Sequence, residues 1–197
     1  MEKKMTQMNE KDIPTTKQLA AELKRIRYKR DYRKTLLNTF TSVAVAAAIA
    51  IIVSTLLLPV LRVTGTSMAP TLMNDDLVIC KKRSDFQNGD IVAFYLNNKI
   101  LLKRVIGKAG DSIDIKEDGT VYVNGSKLNE TYTSEDALGE CDIDFPYTVP
   151  ENRVFVMGDN RPASIDSRST AVGCIADEYV IGKVVLRIWP IYMFGKV

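Results

Sequence analysis

The 197-residue chain contains no histidine. That absence excludes every Ser-His-Asp and Cys-His nucleophile arrangement, the H-E-x-x-H zinc proteases and most catalytic zinc sites. Any nucleophile here needs a different base. Cysteine is scarce too: Cys80, Cys141 and Cys174 are widely spaced and lack the C-x-x-C pattern of redox and zinc sites, so no metal or cofactor is expected. Three thiols cannot all pair within one chain. Buried or free thiols are therefore expected, with a Cys141 to Cys174 bridge outside the cell as the alternative. Disulfides are not required, because this length supports one ordinary domain with its own core plus an extension.

Charge is missing from Thr35 to Leu61, a run of 27 residues whose apolar heart is "VAVAAAIAIIVSTLLL" at 43–58. About 20 mostly apolar residues suffice for a helix to cross a bilayer. A buried core helix and a cleaved signal peptide are the alternatives, and the run exceeds the roughly 7–15 apolar residues of a signal-peptide core. The flanking segment 24–34, "KRIRYKRDYRK", carries seven basic residues and one acidic. By the positive-inside rule that side faces the cytoplasm. Read as a nucleic-acid patch the cluster would be in an odd place, directly before a span, so no nucleic-acid partner is expected. The chain thus divides into a basic cytoplasmic segment (1–34), a transmembrane helix (35–61) and an extracytoplasmic domain (62–197). Within the first segment, Leu19, Leu23 and Ile26 have helical spacing and predict a short amphipathic helix.

Beyond the span, helical periodicity gives way to short runs rich in Val, Ile and aromatics, such as "DLVICKK", "NGDIVAFYL", "KILLKRVIG" and "RVFVMGDN". Asn88-Gly89, Asp118-Gly119 and Asn124-Gly125 supply the positive φ of tight turns. The expected fold is mainly β, a barrel or coiled sheet. Residues 129–150 are acidic and weakly periodic, and read as an excursion that varies easily.

Two features carry chemistry. Ser67 stands in "TGTSMAPTL", just past the span, where Gly, Ser and Pro would equally suit a juxtamembrane turn. In "KILLKRVIG", strand alternation embeds Lys103 in one apolar face and Arg104 in the other. Both side chains could snorkel their charges to water. If they are buried, only the lysine can lose its proton and act as a base near neutral pH. Met68, Leu101, Leu102 and Val105 are the expected apolar cover.

Four boxes, "GTSMAPTL" at 65–72, "GDIVAFY" at 89–95, "LLKRVIGKAGD" at 101–111 and "GDNRPASIDSR" at 158–168, resemble in order and spacing those of the bacterial type I signal peptidases, most closely the Gram-positive form with one span. The resemblance covers nearly all of residues 62–190. It implies the signal-peptidase-like coiled β domain, with Ser67 as nucleophile, Lys103 as general base, Ser164 orienting the lysine amine, and Asp166 with Arg168 as a supporting ion pair. It implies an oxyanion hole containing the Ser67 N–H; where some members add a serine hydroxyl, this chain has Gly65. Pro162 and Ala163 stand where the family more often has a polar pair. Also implied are secretory preproteins as substrates, cut after small residues, and the lipid bilayer and secretion translocon as partners. Two other functions remain open to the residues: a non-catalytic membrane-anchored β module that binds secreted proteins, and a self-cleaving Ser/Lys protease.

Overall fold

The computed structural model describes residues 14–82 and 85–197; residues 1–13, part of the expected cytoplasmic segment, lie outside them. Two units are distinguished, Met1–Val53 and Ser54–Val197. The first is dominated by one helix, α1, at Thr16–Leu57. The expected amphipathic helix and the apolar span are therefore one element of 42 residues. None of its residues is buried. The helix stops four residues before the expected end of the span. Pro59 disfavours the helical region for Leu58 and cannot donate an N–H, and Val60 and Leu61 instead enter a strand.

The second unit is built from eleven strands: β1 (Val60–Arg62), β2 (Leu77–Lys82), β3 (Ile91–Leu96), β4 (Lys99–Lys108), β5 (Ser112–Ile115), β6 (Val121–Val123), β7 (Ser126–Lys127), β8 (Tyr147–Thr148), β9 (Arg153–Met157), β10 (Ile175–Ala176) and β11 (Val180–Trp189). A seven-stranded antiparallel sheet has the order β1-β2-β11-β3-β4-β9-β10, and a four-stranded sheet the order β7-β6-β5-β8. The large sheet has two edges, so it is a coiled sheet and not a closed barrel. Register shifts in β11 at Val184/Leu186 and Arg187/Trp189, and in β4 at Val105/Gly107, are the bulges that bend it.

Strands β3 and β4 meet at Asn97-Asn98, both with positive φ. Asparagine tolerates that region, and a two-residue turn of this hand matches the strand twist. Asn124-Gly125 makes the equivalent turn between β6 and β7, whereas Asn88-Gly89 precedes β3 and joins no hairpin. Both faces of the β3–β4 pair are covered. Ile91, Ala93 and Leu102 pack with Val63, Met68, Leu72, Val78 and Val184 on one side. Val92, Phe94, Leu101 and Val105 pack with Val154, Val156 and Ile175 on the other. Burial on both faces explains why these strands read as continuous apolar runs. All three cysteines are free thiols.

Candidate active site

Ser67 is held from below. The next residue, Met68, is buried at 2% exposure and Leu72 at 0%, both in the core under the 63–76 loop. The loop closes on itself through Val63 N–H to the Asp76 carbonyl at 2.8 Å and Asp75 N–H to the Val63 carbonyl at 2.9 Å. Anchoring its neighbours leaves Ser67 half-buried at the surface of a cleft of about 190 Å³, lined also by Leu61, Val63, Met68, Leu101, Leu102 and Lys103. Of the expected apolar cover, Met68, Leu101 and Leu102 do line this cleft with the lysine. Val105 does not; it belongs to the core.

Lys103 is 4% exposed, and Arg104 is 8% exposed, so neither snorkels. The Lys103 amine donates to Ser164 Oγ at 2.7 Å, and Ser164 Oγ donates to Asp166 Oδ2 at 2.7 Å. Desolvation lowers the Lys103 pKa from 10.5 to about 8, with Asp166 and Asp159 pulling it up and Arg168 pushing it down. Burial wins because the carboxylates are already committed to arginines. Asp166 itself is raised by burial, but the Arg168 guanidinium and the N–H of Gly158 outweigh that and hold it below the usual carboxylate range.

The Asp166–Arg168 pair is fully buried and two-pronged: Arg168 Nε reaches Asp166 Oδ1 at 2.8 Å, and Nη2 reaches Oδ2 at 2.8 Å. The remaining donors of Arg168 go to backbone carbonyls of Leu138 at 2.5 Å and Arg161 at 3.0 Å, which satisfies the charge without water. Pro162 fits without disruption. It lies in the first turn of a short 3-10 helix, Arg161–Ala163, where its missing N–H would have no intrahelical partner anyway.

Gly65 has φ +88 and gives its N–H to Asn74 Oδ1 at 2.9 Å. It therefore shapes the loop and has no backbone donor to spare, whereas among the described residues the Ser67 N–H has no protein acceptor.

Asp159, Arg161, Glu130 and Gly158 escaped the sequence reading. Arg104, the second cation of the buried strand, grips Asp159 with Nε at 2.8 Å and Nη2 at 2.5 Å. Arg161 is fully buried against Glu130. Gly158 is closest of all to the chemistry: a Cβ there would lie 2.3 Å from Ser164 Oγ and 2.5 Å from the Ser67 carbonyl oxygen. Asp159 and Arg161 share a box with Ser164, and a buried charge needs a partner, so a signal was present for Arg104 once its burial was allowed. For Glu130, one of six acidic residues in the 129–150 excursion, no sequence signal existed.

The cleft has a free strand edge. Strand β4 pairs with β3 along Lys99–Arg104 but meets β9 only from Arg104 onward, and β1 pairs on one side with β2. Leu61–Gly65 and Ile100–Lys103 line the two sides of the same cleft. Unpaired edges of this kind accept an added extended peptide.

Ser67 and the desolvated Lys103 amine thus line one cleft at a free strand edge, in a chain without histidine. The sequence profile of the family described as signal peptidase, peptidase S26, matches residues 36–189, and the chain belongs to that family. It is 35% identical over 182 residues to signal peptidase IB of Staphylococcus aureus (strain Mu50), covering 82% of this chain and 94% of that one. Signal peptidase I S of Bacillus subtilis (strain 168) is 32% identical over 170 residues, covering 80% and 91%. A crystal structure of a signal peptidase I from Enterococcus faecalis V583 is 34% identical, covers 51% of this chain and 97% of that one, and has a TM-score of 0.42.

Proposed function

We propose that the protein removes N-terminal signal peptides from secretory preproteins, with Ser67 as nucleophile and Lys103 as general base. The observation that carries the reading is the buried Lys103 amine, hydrogen-bonded to Ser164 and sharing a cleft with Ser67. In its neutral form the amine donates one N–H to Ser164, which turns the nitrogen lone pair away from that oxygen. Ser67 Oγ attacks the scissile carbonyl carbon as its proton passes to Lys103. The Ser67 N–H stabilises the oxyanion, and Lys103 then protonates the leaving amine. Water attacks the acyl-enzyme by the same route and frees Ser67. Among the described residues no hydrogen bond joins Lys103 to Ser67; it forms in the substrate complex, as catalytic hydrogen bonds commonly do.

The preprotein binds extended between the 61–65 and 100–103 edges, and the modest volume beside Val63, Met68 and Leu102 favours small side chains before the cut. The family membership and the apolar helix make the chain membrane-anchored. The basic flank of α1 lies in the cytoplasm and the β domain outside, in the order the positive-inside rule demands. Ser67 is ten residues on from the helix end at Leu57, which keeps the serine within about 35 Å of that end, where the cleavage site of a preprotein emerges. Preproteins delivered there by the secretion translocon are the substrates.

The test is cleavage of a detergent-solubilised preprotein by the full chain. Ser67→Ala and Lys103→Ala should each abolish turnover while the protein stays folded and membrane-bound. Near-normal turnover by either variant would refute the dyad.

A further inference from the structure

The segment between β7 and β8, expected to be a variable excursion, is pinned to the site. The Glu130 side chain is only 6% exposed, and its carboxylate accepts both terminal nitrogens of the fully buried Arg161. Tyr132 donates its hydroxyl to Glu130 at 2.8 Å and sets its ring against Arg104, 3.9 Å from guanidinium carbon to ring centroid. One carboxylate and one ring thus hold two buried arginines.

Both arginines end on the same turn, 158–161. Arg161 Nε donates to the Gly158 carbonyl at 3.1 Å, and Arg104 grips Asp159. The other side of the turn faces the chemistry. Asn160 N–H donates to the Ser67 carbonyl at 3.1 Å, Asn160 Nδ2 donates to the Thr66 carbonyl at 3.2 Å, and Gly158 N–H donates to Asp166 at 2.9 Å. The turn therefore spaces the Ser67 loop from the Ser164–Asp166 support of Lys103.

We infer that Glu130 is a positioning residue for peptide-bond cleavage, acting through Arg161 and, with Tyr132, through Arg104 to hold the 158–161 turn in register with Ser67 and Lys103. The inference rests on the Ser67/Lys103 reading above. Neither Glu130 nor Tyr132 lines the cleft, so they act at a distance from substrate. A carboxylate matches the planar fork of Arg161 in a way an amide cannot, because one of the amide's two ends is a donor. When the turn loosens, the atoms around Lys103 separate and water reaches its amine. The groups facing that amine, Ser164, Asp166, Arg168 and Asp159, then no longer enclose it.

The experiment compares the full chain in detergent with Glu130→Gln, Tyr132→Phe, Arg161→Lys and the Glu130→Gln/Arg161→Lys double variant. Measured are kcat, KM and the pH dependence of preprotein cleavage, at a temperature where circular dichroism shows each protein folded. Glu130→Gln should lose roughly tenfold or more in kcat with KM within about twofold, since small misplacements of reacting groups are costly. Its rising pH limb should move to higher pH, a change that loss of stability alone would not produce. Tyr132→Phe, which keeps the ring and removes the hydroxyl, should change both in the same direction but less. The double variant should be no more than about twofold worse than the poorer single one, as for residues acting in series. Wild-type kcat and pH limb per folded molecule in Glu130→Gln would overturn the inference. If that variant does not fold, wild-type behaviour of Tyr132→Phe overturns it instead. Ser67→Ala and Lys103→Ala run in parallel: if either cleaves normally the dyad reading has failed, whereas if both are impaired and Glu130→Gln is normal, only the role of Glu130 falls.

Discussion

Replacing Lys103 by methionine should destroy activity and yet stabilise the fold at neutral pH. In the folded chain the amine titrates near 8, against 10.5 when exposed. At about 1.4 kcal/mol per pH unit, burying this group as an ammonium takes about 3 kcal/mol from stability. Below about pH 8 both the folded and unfolded chains carry the proton, and the penalty is present in full. Between about 8 and 10.5 the unfolded chain binds a proton that the folded chain does not, so wild-type stability climbs across that window. Methionine has similar length, no charge to desolvate and apolar neighbours in Met68, Leu101 and Leu102. Against the gain stands the lost hydrogen bond to Ser164, about 1 kcal/mol. The net expectation at pH 7 is about 2 kcal/mol, or about 4–8 °C in the melting temperature of the β domain. By about pH 10 the advantage should have largely gone. Thermal unfolding of the full chain in detergent at the two pH values measures it. A variant less stable than wild type at pH 7, or one whose advantage is the same at both pH values, would refute the claim that Lys103 is held by desolvation.

Two further outcomes follow from the site. Gly158→Ala forces a methyl to within 2.3 Å of Ser164 Oγ and 2.5 Å of the Ser67 carbonyl, so both must shift; kcat for preprotein cleavage should fall about 10²-fold, and an unchanged kcat would show that the turn yields freely. Asp166→Asn leaves Arg168 buried without its counter-charge and should cost about 3–5 kcal/mol, measured by denaturant unfolding near pH 7. Because the Asp166 carboxyl is held below the usual carboxylate range, the wild-type pair stabilises the fold above about pH 4 and is lost as pH falls through the lowered value, so the difference between the two proteins should shrink in acid.

The architecture was legible where local patterns repeat. Apolar runs marked β2, β3, β4 and β9, and the uncharged stretch marked the C-terminal half of α1. The end of that helix was misjudged because apolarity continues through Val60 and Leu61, while pairing with β2 decides their conformation. The β3–β4 turn at Asn97-Asn98 went unnoticed for want of a glycine. Ser67, Lys103, Ser164, Asp166 and Arg168 could be singled out from their boxes, and the fold brings the last four into one hydrogen-bonded chain. Glu130 could not be singled out, since an acidic residue in an acidic loop is most often solvated.

By itself the sequence determined which chemistry was available: without histidine, and of the two cations embedded in "KILLKRVIG", only Lys103 could lose its proton near neutral pH. Ionisation limits and strand periodicity are local properties, and they survive without a fold. Only the tertiary structure decided that Lys103 meets Ser164 across 61 positions and Arg104 meets Asp159 across 55. It alone decided that Glu130 closes on Arg161 instead of on water. Those pairings depend on which buried charge finds which partner once water is gone. Desolvation is a property of the packed interior, and no stretch of chain carries it alone.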